Sequence, residues 1–377
     1  MSPHKKHVAF FDQIRGFAII CVFLFHALGI SYSQYQLPWG DWFPKFEAPR
    51  SFLFFLPLTM GWAGVAVFFV VSGFCIHNSF ARNPDWQDFA VRRFFRIYPP
   101  YVVALLLFAL ILPWTRIGHD FFGIALLGSH LALVQNLDDR SFFAINPSFW
   151  SIAVEAQLYL IYPVMLLLVK RIGWRKTLLF IGALEIGLRT VAGLTVFSTG
   201  DLPLFRFLGM PFLYWFSWAI GAAIADAHLL GHPLPFANHS WRAWSVVAVA
   251  SGFIKPIAPY SFLFFAVLTA TVIVHLLQKD EAPARWPALR KWISNVGLWS
   301  FSIYLLHEPF LDLAPRLAAK FPLPHVSQHL EAFGIALLFW FPILGLSALS
   351  YRWIELPGIA LGKRVSSLVP SGAQVDT

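Results

Sequence analysis

Arg15 and His26 bracket the apolar run from Gly16 to Phe25. At 3.6 residues per turn their offset is close to three whole turns, so on a helix both side chains project from one face, about 16 Å apart along the axis. One helix would then carry a cation near one membrane surface and a titratable imidazole near the other. Ionisable groups at such depths cost a few kcal/mol each unless they face a polar cavity or a partner, which makes this pair a functional candidate.

Two further stretches place polar side chains at helical spacing. Ser151, Glu155, Tyr159 and Tyr162 fall at i, i+4, i+8 and i+11, and Ser300, Tyr304 and His307 repeat the device at i, i+4 and i+7. The alternation of spans described below puts Glu155 at the level of His26. A histidine beside a carboxylate at a shielded level suits general-base work, because the carboxylate orients the ring and raises its basicity. The competing reading is that these groups only bond to one another and hold helices together. Asp12, three residues before Arg15, either neutralises that cation or shares its site. Arg93 and Arg96 are at i, i+3, so both guanidinium groups point one way, a geometry matched to phosphate oxygens; basic residues at a cytoplasmic helix end also serve as ordinary topology signals. The segment Gly64 to Phe74, which contains Ser72, offers small residues for close approach of another helix or a ligand, with packing the expected use.

These residues need a scaffold, and composition dictates its kind. Of 377 residues, 58% are hydrophobic, 18% aromatic and 12% charged, against roughly 25% charged in a soluble domain. Long unbroken apolar runs predict helices rather than barrel strands, so the expected fold is an all-α polytopic integral membrane protein. The formal charge of +9 is explained by a positive-inside bias, and nucleic acid is not expected as a partner. Cys21 and Cys75 both lie in apolar runs, implying neither a disulfide framework nor a metal-binding spacing.

Windows of about twenty apolar residues predict about ten spans, at 13–31, 59–79, 97–114, 149–169, 177–197, 207–227, 242–257, 259–278, 296–316 and 331–351. A shorter stretch, 121–134, reads as interfacial or re-entrant. With the amino terminus in the cytoplasm, 19 of the 28 lysines and arginines fall on the inner side and both termini are cytoplasmic. Residues 1–360 then form a single transmembrane domain, and 361–377 a cytoplasmic tail expected to be disordered.

Six segments in order resemble the acyltransferase 3 family of membrane-integral acyltransferases. They are Phe11-Asp12-Gln13-Ile14-Arg15-Gly16 through His26, Phe68 to Phe74, Arg93-Phe94-Phe95-Arg96-Ile97-Tyr98-Pro99, Phe149 to Tyr159, Ser300 to Pro309, and Tyr351 to Pro357. Two positions depart from the family pattern: Ala156 replaces a usual second glutamate, and Ala66 stands where an acidic residue is common. The resemblance implies transfer of an acyl group, usually acetyl from acetyl-CoA, to a hydroxyl of a carbohydrate or glycolipid at the outer face of a bacterial inner membrane. Candidate acceptors include lipopolysaccharide, other polysaccharides of the cell envelope and peptidoglycan. It also implies that Arg15, Arg93 and Arg96 hold the CoA as a substrate, with no tightly bound cofactor and no metal. His26, oriented by Glu155, would be the base or would carry a covalent acyl group. His307, Tyr304, Ser151, Tyr159, Asp12 and Ser72 are supporting candidates. The alternative from the residues alone is a transporter or proton-coupled permease lined by the same His, Glu and Arg side chains. Oligomeric state is not legible in one chain.

Overall fold

The computed structural model describes residues 3–32, 50–118, 120–199, 209–279 and 286–368, and among these the secondary structure is helical, without a strand. The first helix, α1 (Pro3–Tyr32), is followed by a 3-10 stretch (Arg50–Ala63), α2 (Gly64–Arg82) and α3 (Trp86–Leu106). Then come the short α4 (Phe121–Leu131), the long α5 (Phe149–Thr199), α6 (Trp215–Leu230), α7 (Trp241–Ser251) and α8 (Ser261–Gln278). The last part consists of α9 (Pro287–Leu298), α10 (Ser300–Leu311), α11 (Leu313–Lys320), α12 (Gln328–Leu338), α13 (Trp340–Ser350), a π-helical turn (Tyr351–Glu355) and α14 (Leu356–Leu368).

Among the described residues, six helical stretches are long and apolar enough to cross a membrane: Phe10–Tyr32, Pro57–Arg82, Trp86–Ile111, Phe149–Thr199, Ala258–Gln278 and Gln328–Leu368. The expected count of ten differs from this through the length and continuity of particular helices. Residues predicted as two spans, 149–169 and 177–197, are two helical arms that meet at Gly173, the one residue of 149–199 with non-helical backbone, at φ 75° and ψ 162°. A span of about 20 residues crosses the hydrocarbon core, so each arm is long enough by itself, and Gly173 supplies a left-handed φ that other residues avoid. The predicted span 296–316 runs through α9, α10 and α11, which meet at the single residues Trp299 and Asp312, while α6 and α7 have 16 and 11 residues. Helix α3 begins well before residue 97, so Arg93 and Arg96 sit inside it rather than ahead of it. Asp85 starts it, its carboxylate accepting from the backbone N–H groups of Gln87 and Asp88 at 2.8 and 3.0 Å. Helix continues through Leu368, so α14 takes in residues 361–368 of the expected tail; residues 369–377 lie outside the described residues.

Close helix contacts use small residues, as expected of Gly64 to Phe74. A Cβ on Gly73 would lie 1.9 Å from the Trp218 carbonyl oxygen, and one on Gly221 2.0 Å from that of Val70, so α2 and α6 touch backbone to backbone. Arg189, the cation inside a predicted span, is fully engaged. It bonds Glu185 at 2.9 and 3.0 Å and the carbonyls of Pro259 and Leu213, joining α5 to the turns that open α6 and α8. That pair is structural, with each buried charge satisfied by several partners.

Candidate active site

Nine of the eleven residues expected to take a site role line one cavity of about 480 Å³: Asp12, Arg15, Ser72, Arg93, Arg96, Ser151, Glu155, Tyr159 and Tyr304. They come from α1, α2, α3, α5 and α10. Helical periodicity carried this result, since each pair at i+3 or i+4 turns together toward the bundle interior. Arg15 donates to Asp12 at 3.1 Å and to the Cys75 sulfur at 3.2 Å. Arg93 lies with its guanidinium carbon 5.8 Å from the Phe89 ring centroid, and its Nε is buried without a hydrogen-bond partner. Arg82, Cys75, Tyr351 and Glu355 also line the cavity. None of the four is a candidate by spacing alone, although Tyr351 and Glu355 fall at i, i+4 in the last of the six family-like segments.

The expected pairing of Glu155 with His26 does not form. Glu155 Oε1 accepts from Ser72 Oγ at 2.7 Å and from the Tyr159 hydroxyl at 2.6 Å, and Trp218 Nε1 donates to Ser72 Oγ at 3.3 Å. The carboxylate therefore belongs to the arginine-bearing cavity. Tyr162, on the same predicted stripe, leaves the site altogether: its hydroxyl bonds His77 Nδ1 at 2.9 Å, and His77 Nε2 bonds Asp226 at 3.0 Å. Trp174, just past the Gly173 break, donates to the other Asp226 oxygen at 2.7 Å. This network ties both arms of α5 to α2 and α6.

His26 and His307 are the two candidates outside the cavity lining, and they bond each other: His26 Nδ1 lies 2.8 Å from His307 Nε2. The tautomers follow from the neighbours. His307 Nδ1 lies 2.9 Å from the Tyr304 carbonyl and 3.1 Å from that of Ile303. Carbonyls only accept, so Nδ1 carries the proton and Nε2 is bare. His26 Nδ1 must then donate to it, which leaves His26 Nε2 with the free lone pair. The carboxylate beside this pair is Glu308, which accepts a short hydrogen bond from the Ser148 hydroxyl. His26, His307 and Glu308 offer three ligand-type atoms within 4.8 Å of one another. Two nitrogens on one tetrahedral zinc, each at about 2.0–2.1 Å, would be about 3.3 Å apart. The observed 2.8 Å is instead a direct hydrogen bond. Sequence reasoning missed Glu308 although it directly follows His307; a carboxylate next to a buried histidine was the available signal.

Tyr304 links the two centres. Its hydroxyl bonds Ser151 Oγ at 2.7 Å on the cavity side, and its ring centroid is 5.6 Å from that of His307 on the other. His307 is fully buried, whereas His26 keeps partial exposure.

Comparison with known proteins identifies the family. The acyltransferase domain model of the acyltransferase 3 family matches residues 8–353. An acyltransferase, MdmB, of Streptomyces mycarofaciens is 26% identical over 337 residues, covering 84% of this chain and 82% of its own. The O-acetyltransferase OatA of Staphylococcus aureus is 23% identical over 382 residues, covering 92% of this chain and 61% of its own. The peptidoglycan O-acetyltransferase OatA of Listeria monocytogenes is 23% identical over 400 residues, with 94% and 56% covered. The chain thus spans about three fifths of the length of the two OatA proteins. No solved structure matches the chain. A permease reading has no counterpart among these relatives, and a match that runs from before Arg15 to beyond His307 takes in both polar centres. The chain belongs to the acyltransferase 3 family and is a membrane-integral O-acyltransferase.

Proposed function

We propose that the protein transfers an acetyl group from cytoplasmic acetyl-CoA to a hydroxyl of a carbohydrate acceptor, of peptidoglycan or another envelope glycan, at the outer face of a bacterial inner membrane. The observation that carries this reading is the pair of centres on α1: a cavity bearing Arg15, Arg93 and Arg96, and, across Tyr304, a histidine pair whose free nitrogen is His26 Nε2. Arginine forks grip phosphate oxygens bidentately, so the cavity suits the donor's phosphates at one end and its thioester at the Ser151–Tyr304 end.

Each side chain then has a task. His26 Nε2 takes the proton of the acceptor hydroxyl as its oxygen attacks the thioester carbonyl. The Tyr304 hydroxyl is placed to donate to the carbonyl oxygen as negative charge develops there. The C–S bond breaks, the sulfur leaves as thiolate, and the proton held on His26 neutralises it. While His26 is protonated, His307 accepts from its Nδ1–H and the Glu308 carboxylate offsets the charge. Glu155, bonded by Ser72 and Tyr159, supplies counter-charge among the donor-site arginines rather than acting on the base. An acyl group held on His26 would use the same atoms in two steps.

The test is purified protein in lipid vesicles given labelled acetyl-CoA and a soluble glycan acceptor. Transfer that disappears in His26→Ala supports the reading. Neither transfer nor hydrolysis from acetyl-CoA, with activity from a longer acyl thioester, would replace acetyl as the donor group; turnover by His26→Ala at the wild-type rate would remove the base.

A further inference from the structure

The π-helical turn Tyr351–Glu355 and α14 behind it present two stripes. Tyr351, Glu355 and Ile359, at i, i+4 and i+8, line the arginine-bearing cavity. Gly358 and Gly362 instead face α3, and both are buried. A Cβ on Gly358 would sit 2.7 Å from the Phe95 carbonyl oxygen, and one on Gly362 2.8 Å from Phe95 Cβ. Phe95 lies between the two arginines in sequence, so α14 rests on the backbone turn that carries them.

Polar bonds fasten both ends of this contact. Ser366 donates a short hydrogen bond to Asp88 of α3, whose carboxylate also pairs with Arg92 and accepts from Asn83 at 2.8 Å. At the other end Glu355 accepts a short hydrogen bond from Ser302 of α10, which also bonds Ser350 at 2.8 Å. Arg93 packs on Phe89 and its Nε is buried without a hydrogen-bond partner, so the position of the α3 backbone sets how far its guanidinium reaches into the cavity.

We propose that α14, seated on α3 through Gly358 and Gly362, is a positioning element that sets Arg93 and Arg96 for the phosphate groups of the acyl donor. The inference rests on the donor-site reading of the cavity. A shift of about 1 Å in groups that bind substrate can cost up to about a hundredfold, and a side chain at either glycine must push α14 off Phe95 by a comparable distance.

The experiment measures acyl-transfer kinetics and direct CoA binding for Gly358→Ala, Gly362→Leu, Ser366→Ala and the double variant R93K/R96K, all as full-length protein in lipid. The expected result is a rise in KM for acetyl-CoA of about tenfold in the glycine variants and about twofold to threefold in Ser366→Ala, with kcat and acceptor KM close to wild type. A merely structural role would lower kcat and the amount of folded protein without this split. If R93K/R96K weakens the donor and the other variants do not, positioning by α14 is wrong while the donor site stands. If R93K/R96K leaves donor kinetics unchanged, the donor-site reading falls and this inference with it. Should the glycine variants fail to fold, Ser366→Ala decides: unchanged CoA affinity overturns the proposal.

Discussion

His26 Nδ1 and His307 Nε2 lie 2.8 Å apart, with ring centroids 4.9 Å apart and the ring planes inclined by 38°. A hydrogen bond fixes the orientation of the His26 ring and leaves its Nε2 as the basic atom. Removing the base should therefore cost about 10²–10⁴-fold in turnover, and removing its orienting partner a smaller but coupled loss. His26→Ala should be nearly inactive, His307→Ala reduced, and the double variant no worse than His26→Ala alone. Additive losses, read from acyl-transfer rates of the three proteins, would show that the two rings act independently.

The carboxylates divide between the two centres, and the split between kcat and KM separates their roles. Glu308 stands by the histidine pair, where it acts on turnover rather than on donor binding. Glu308→Gln should lower kcat with little change in KM for acetyl-CoA. Glu155→Gln should act on KM for acetyl-CoA, because Glu155 bonds Ser72 and Tyr159 inside the arginine-bearing cavity. A fall in kcat alone with Glu155→Gln would restore it as the partner of the base.

Much of the site was legible from spacing, and what was not has a physical cause. Helical periodicity assigns a face, so Ser151, Glu155 and Tyr159 turn into one cavity, as do Arg93 and Arg96. Periodicity does not say which neighbour a face meets. Glu155 and His26 were expected together because depth alone placed them level, yet the side chains that reach Glu155 come from α2 and from its own helix. Junctions inside apolar runs were harder to place. Trp299 and Asp312 separate α9, α10 and α11 with Gly297, Pro309 and Pro315 within three residues of them, whereas Gly173 joins two arms that hydropathy had separated.

Depth assignments depend on orientation, which labelling can read. In a cysteine-free background, a cysteine placed at exposed Asp139 should react with an impermeant maleimide added to intact cells, and one at exposed Arg175 only after permeabilisation. Reaction in the reverse order would put the arginine-bearing cavity on the outer side and exclude a cytoplasmic acyl-CoA as its ligand.

Arg93 and Arg96 line the same cavity from one face of α3, at the end of the bundle away from the His26–His307 pair. Replacing both by lysine keeps two charges but loses the planar forks that take phosphate oxygens in pairs. KM for acetyl-CoA should rise well above any change in KM for the acceptor. A donor lacking its 3′-phosphate should be penalised in the wild type and much less in the double variant, because a contact already lost cannot be lost again. Coupling between the protein change and the ligand change identifies contact in a way that loss alone does not. If both proteins discriminate equally between the two donors, these arginines do not touch the 3′-phosphate. If donor kinetics do not change at all, their cationic charge serves topology and the donor-site reading of the cavity falls.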